Sequence, residues 1–206
     1  KVAQARYVVE ELDKRKVALI TQSTAYGQSG RAHLKDAFDK LGAKVVYENS
    51  LTVSTKEMLP VLANIRRSGA DVVVLQLHSG PSALFVRQAA AFGLKLPIVG
   101  GSALHQPTTA ALVEPATLKN VCAETASSPI SEASPPMKAF TAAFREEYDA
   151  EPDAFALADY DAVRMVLSLR QKGIKTGPAM RDALAKTSYQ GLAMTYRSDG
   201  KGNMAH

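Results

Sequence analysis

Between Lys16 and Gly42 the sequence KVALITQSTAYGQSGRAHLKDAFDKLG changes its hydrophobic period once, and that change constrains the fold more than any other feature. Val17 to Ile20 is a short continuous apolar run, the pattern of a strand covered on both sheet faces. Leu34, Ala37, Phe38 and Leu41 then recur at i, i+3, i+4 and i+7, one apolar face of a helix. Gly42 can end that helix in a left-handed conformation. The polar stretch Thr21 to Gly27 between them reads as a loop. Tyr26 is therefore expected just beyond the carboxyl end of a parallel strand, where open α/β sheets bind ligands.

The same alternation continues. Val2 to Arg15 is a helix candidate and Lys44 to Glu48 a strand. Ser54 and Glu57 form a capping-box pattern that opens a helix, with Pro60 early enough to be tolerated and Gly69 as the stop. Asp71 to Leu77 is a strongly apolar strand. Ser79 and Pro81 start a helix that runs to Phe92 and ends at Gly93. Leu96 to Val99 is a short strand ending at Gly100-Gly101-Ser102. A short helix near Thr108 to Val113 and a strand from Asn120 to Glu124 follow. Strands alternating with helices predict an α/β fold, a doubly wound parallel sheet. The texture then changes at Ser127 to Pro136, SSPISEASPP, which reads as a connector. Met137 to Tyr148, Phe155 to Lys172 and Pro178 to Lys186 are helix candidates. Phe155, Leu157, Ala158, Ala162, Val166 and Leu169 give the second of these an apolar face. Tyr189 to Tyr196 reads as a strand, with Asp199-Gly200 as a turn.

Composition narrows the function classes. The chain has 206 residues, 46% of them hydrophobic, enough for an ordinary globular core. No apolar run is long enough to cross a membrane, and no leader peptide is visible. The net charge of +5 is spread out, without the dense basic run of a nucleic-acid face. Cys122 is flanked by strand-like residues and reads as a buried, inert thiol. No Walker loop or dinucleotide fingerprint is present around Gly27 and Gly30. His33, His78, His105 and His206 lack metal-ligand spacing, and Ser79-Gly80 is not a nucleophile elbow. Asp159 and Asp161 read as a solvated cap or a hinge contact. Neither catalytic residues, a metal nor a cofactor is expected. What recurs is polar side chains at strand carboxyl ends: Ser23, Thr24 and Tyr26 after the first strand of the alternation, Gln76 and His78 after the third, Ser102 after the fourth. In a parallel sheet these ends share one edge and can converge on one small polar ligand.

Four blocks carry a family resemblance: KVALITQSTAYGQSG, GADVVVLQLHSGPSALFVRQAAAFGLKLPIVGG, AFTAAFREEYDAEPDAFALADYDAVRMVL and YQGLAMTYRSDGKGN. Together they resemble the type I periplasmic solute-binding proteins of ABC transporters, the Leu/Ile/Val receptors. The resemblance implies two α/β lobes joined by three crossings, with a small polar solute held in the cleft between them and no enzymatic activity. It implies that residues 1–126 are the ligand-binding C-terminal lobe and 127–153 a connector and helix of the same lobe. Residues 154–188 would return to the N-terminal lobe, most of which would be missing, and 189–206 would be the final crossing. A permease of the inner membrane is the implied partner. The implied location is the periplasm, or the outer surface of a Gram-positive cell by a membrane anchor. Without an N-terminal lobe to cover it, the apolar face of Phe155 to Lys172 is expected to be covered by a second copy in a dimer or swapped packing, to fold back on its own lobe, or to be disordered. Tyr26 matches the tyrosine that covers the ligand, and His78 falls where those receptors often carry an aromatic. Ser102 falls where the Leu/Ile/Val receptors carry an acid. A serine cannot offset an ammonium charge, so the implied ligand shifts from an amino acid towards a small carboxylate or amide, aromatic acids included. Two other readings stay open on sequence: a ligand-sensing domain of the same fold, and an α/β enzyme of flavodoxin-like topology.

Overall fold

Six of the seven residues of β1 (Lys16–Gln22) are buried, because this strand has neighbours on both flanks and both faces. The computed structural model describes residues 1–125, 127–129, 134–200, 202 and 204–205. They fall into two compact units, Lys1–Thr125 and Ala126–His206.

In the first unit β1 pairs in parallel with β2 (Lys44–Leu51) on one side and β3 (Val72–Gln76) on the other. β4 (Ile98–Gly100) and β5 (Val121–Ala123) complete the sheet, in the order β2-β1-β3-β4-β5. The direction of winding reverses between β1 and β3, so a crevice opens there at the carboxyl edge. Alternate residues of each strand serve opposite faces. Val17, Leu19, Val72, Val74 and Val99 pack with Ala5, Val8, Leu34 and Phe38. These come from α1 (Val2–Arg6, continued by a wider turn, Tyr7–Glu11) and α2 (Ala25–Lys40). Ala18, Ile20, Val73 and Leu75 pack on the other face with Leu62, Ile65, Phe85 and Val86. These come from α3 (Leu59–Arg67) and α4 (Ser79–Phe92), the latter ended by Gly93 at φ +75°. A short α5 (Pro107–Ala110) follows β4. The doubly wound parallel sheet of the sequence analysis is the fold observed.

Three local readings change. The expected loop Thr21–Gly27 shrinks, because β1 runs to Gln22 and α2 starts at Ala25. Ser54 and Glu57 do not cap a helix; α3 begins at Leu59 with Pro60 in its first turn. A helix started at Ser54 would put Pro60 in its second turn, where its ring meets the preceding carbonyls and its missing N–H breaks a bond. Cys122 is exposed, not buried, since β5 is the edge strand and has no neighbour on its outer side. Its Sγ lies 3.3 Å from Tyr7 Oη, beside a hollow of about 480 Å³ lined by Gln4, Val99 and Glu124.

The second unit holds α6 (Pro135–Tyr148), α7 (Ala154–Gln171), α8 (Gly177–Leu184) and a small antiparallel sheet, β6 (Ser188–Gln190), β7 (Thr195–Ser198) and β8 (Met204–Ala205). The sequence grouped the helix of residues 127–153 with the first unit; here Phe140 of α6 stacks on Tyr160 of α7, ring centroids 4.9 Å apart. Residues 130–133 of the expected connector lie outside the described residues. The single strand expected over Tyr189–Tyr196 is a hairpin, β6 and β7 paired Tyr189 to Tyr196. Asp161, read as solvated or hinge-like, is fully buried beneath its turn. It accepts from Leu192 N (2.7 Å), Ala193 N (2.8 Å) and Tyr196 Oη (3.1 Å). Gly191 sits so close that any Cβ there would overlap the Asp161 carboxylate. On α7, Leu157, Met165 and Leu169 are buried while Phe155, Val163 and Leu167 are exposed, so two apolar stripes share one helix.

Burial, then the negative charge of Asp161, pushes the Tyr196 hydroxyl up to about 12. A raised tyrosine pKa means the folded state keeps a proton that the unfolded chain gives up near its ordinary value of 10. The contribution of Tyr196 is thus complete below pH 10 and is lost as pH rises towards 12. Asp161→Asn should move the Tyr196 absorbance titration back towards 10. It should also cost roughly 1–3 kcal/mol in urea unfolding, because an amide oxygen cannot serve all the donors the carboxylate serves. An unchanged titration would refute the assignment.

Candidate functional site

The start of α2 lies directly on the end of β1. Thr24 caps the helix with an extended backbone, its Oγ1 accepting from Gly27 N at 3.4 Å. A Cβ on Gly27 would overlap the main-chain carbonyl of Gln22, so only glycine lets the helix begin this close. Tyr26 is consequently in the first turn of α2, held over the crevice between β1 and β3. His78 follows β3 as the residue before α4, again extended. The two rings meet with centroids 4.9 Å apart and planes inclined by 30°. Thr24 Oγ1 also lies 3.4 Å from His78 Nε2. The two residues on either side of the reversal of winding are therefore in contact.

Gln76, the last residue of β3, is fully buried. Its amide packs so tightly on α2 that a Cβ at Gly30 would overlap it. Neither its Oε1 nor its Nε2 has a hydrogen-bond partner, and the buried Tyr26 Oη has none either. Burial first, and then the charge of Glu124, raise the Tyr26 hydroxyl above its ordinary pKa against a smaller opposing effect of the adjacent Gln76 amide, so it stays a neutral donor. Beyond β4, Gly101 brings the chain against this group. A Cβ there would stand 3.0 Å from Lys1 Nζ, 3.3 Å from Tyr26 Oη and 3.5 Å from Gln76 Oε1. Ser102, half-buried, opens the next turn (Ser102–His105). Ser79, after His78, donates to Gln106 Oε1.

Of the residues singled out on sequence, Thr24, Tyr26, Gln76 and His78 are brought together. Ser102 adjoins them through Gly101, and Ser23 is exposed on the β2 side, its N–H donating to Leu51 O at 2.8 Å. The sequence reading missed two charges. Lys1 Nζ donates to Glu124 Oε2 at 3.3 Å and to Gln4 Oε1 at 3.5 Å. The rule that flagged Gln76 and Ser102, polar residues at strand carboxyl ends, flags Glu124 equally once β5 is included. Among the described residues no group of three or more His, Cys, Asp or Glu could hold a metal.

The chain is similar over most of its length to known proteins. The profile of the periplasmic binding protein family matches residues 2–206. A Leu/Ile/Val-binding protein homologue from Brucella abortus is 27% identical over 169 residues, 77% of this chain and 40% of its own length. A branched-chain amino acid ABC transporter protein from Rhodospirillum rubrum is 27% identical, with a TM-score of 0.80 over 97% of this chain and 58% of that one. A solute-binding protein from R. palustris, solved in complex with benzoate, shares the fold at 19% identity and a TM-score of 0.83, over all of this chain and 57% of that one. The chain thus spans well under two thirds of the length of these relatives.

A buried hydroxyl without a partner costs the unliganded fold its lost hydration, so removing it does not destabilise. Tyr26→Phe should therefore leave urea stability unchanged or slightly higher. A loss above about 1 kcal/mol would show that Tyr26 Oη is already bonded inside the protein.

Proposed function

The chain belongs to the periplasmic binding protein family, in the type I class of branched-chain amino acid ABC receptors, and from that premise we propose that it captures a small polar solute, an amino acid or a small carboxylate, on the carboxyl edge of its first unit. The family is one of non-enzymatic solute-binding proteins. The observation that carries the reading is the Tyr26–His78 contact at the reversal between β1 and β3, above polar atoms that lack partners. Bare donors and acceptors at a crevice are what a solute completes. Ser23, Thr24, Tyr26, Gln76, His78 and Ser102 are the proposed ligand-binding residues. Residues 1–126 act as one lobe; 154–188 and the final stretch 189–206 belong to crossings and to the other lobe. Closure of the other lobe buries the solute, and the closed form delivers it to a membrane permease from the periplasmic or outer face. The exposed Phe155, Val163 and Leu167 fit this reading, since a lobe present only in part leaves apolar surface uncovered.

A thermal-shift panel of leucine, isoleucine, valine, benzoate and a dicarboxylate tests it on the receptor carrying both lobes. A true ligand at a hundred times its Kd should add about 2.7 kcal/mol of stability. The 206-residue chain alone should show a much smaller shift, because one cleft wall leaves the solute largely in water. No shift with any class of solute would overturn the proposal.

A further inference from the structure

The side chains expected on sequence to meet the solute, Ser23, Thr24, Gln76, His78 and Ser102, are formally neutral, yet the edge is not. Lys1 Nζ stands at the floor of the cluster, within 3.0 Å of the point where Gly101 would carry a Cβ, a point that Tyr26 Oη and Gln76 Oε1 also approach. Those two oxygens are buried and unpartnered, whereas the Lys1 side chain is 22% exposed. Lys1 is therefore the member of the group that an arriving solute meets. An ammonium has three N–H groups. Glu124 Oε2 and Gln4 Oε1 take two of them, at 3.3 and 3.5 Å, and the third is left for a ligand.

Resting on the solute-receptor reading, we propose that Lys1 sets the charge of the solute: its ammonium binds a ligand carboxylate and turns away ligands that present an ammonium at this point. The acid at the floor is Glu124, and Lys1 already holds it. A ligand ammonium would have to displace Lys1 or lie beside it, and like charges a few ångströms apart in a partly dry cleft repel strongly. A carboxylate gains a charge-assisted hydrogen bond from Lys1. The Tyr26–His78 pair offers a ring face to a flat acid.

The competing description is a partly buried ion pair with no role in binding. Lys1→Met, Lys1→Arg and Glu124→Gln in the receptor carrying both lobes separate the two, read by calorimetry with benzoate and with leucine as probes. Lys1→Met should weaken benzoate binding by about tenfold or more, leave leucine unweakened, and leave the unliganded melting temperature where it was. Lys1→Arg should restore benzoate binding, and Glu124→Gln should keep it, since the cation stays. Unchanged benzoate affinity in Lys1→Met overturns the inference, as does an unsubstituted receptor that prefers leucine to benzoate; the solute-receptor reading survives both. Failure of the unsubstituted receptor to bind any solute removes the receptor reading itself, and this inference with it.

Discussion

The candidate site depends on how closely α2 approaches the end of the sheet. Two missing side chains set that distance. Gly27 rests against the main chain of Gln22, and Gly30 against the amide of Gln76. A Cβ on Gly27 would push the helix outward and carry Tyr26 away from His78, whereas one on Gly30 would displace the Gln76 amide. The Thr24 cap fixes where the helix begins, and the parallel ladder, with Thr21 opposite Gln76, fixes where β1 and β3 end relative to one another. Tyr26 is thus positioned chiefly by backbone packing, with its hydroxyl lying beside the Gln76 amide.

Available polar groups are costly. Each buried donor or acceptor without a partner forfeits about 1–3 kcal/mol. The first unit tolerates several at one place, Tyr26 Oη and both amide atoms of Gln76. The second unit treats a buried polar group in the opposite way. Asp161 is just as buried, and its carboxylate collects two backbone N–H groups and a tyrosine hydroxyl. Satisfied in this way, it organises the hairpin turn. A protein that can satisfy a buried carboxylate completely in one place, yet leaves an amide bare at the crevice of its sheet, departs from local consistency where a ligand would restore it.

The strands of the first unit were legible because they are short apolar runs, and the helices because their apolar spacing and glycine stops agree. The start of α3 was misread because Ser54 and Glu57 match a capping pattern that Pro60 makes impossible. Cys122 was misread because an edge strand looks like a central one in sequence; what differs is the neighbour it lacks. The hairpin over Tyr189 to Tyr196 was hidden because its turn is held by Asp161, 31 residues from Leu192 along the chain, and not by local turn chemistry alone.

The charge of the site was hidden for a related reason, one that the polar strand ends make plain. Tyr26, Gln76, His78 and Ser102 can be found by reading each strand and the residues just after it. Lys1 and Glu124 are separated by 123 residues, and neither one alone suggests a site. They meet because the order of strands puts β5 beside β4, and because α1 packs its first turn across the same sheet, with Gln4 Nε2 donating to Val99 O at 3.3 Å. Local sequence therefore specifies the shape of the crevice and its hydrogen-bonding groups. Topology specifies its charge. Neutral side chains at the strand ends do not by themselves make the edge neutral, because β5 brings an acid and the start of α1 a base to the same place from opposite ends of the unit.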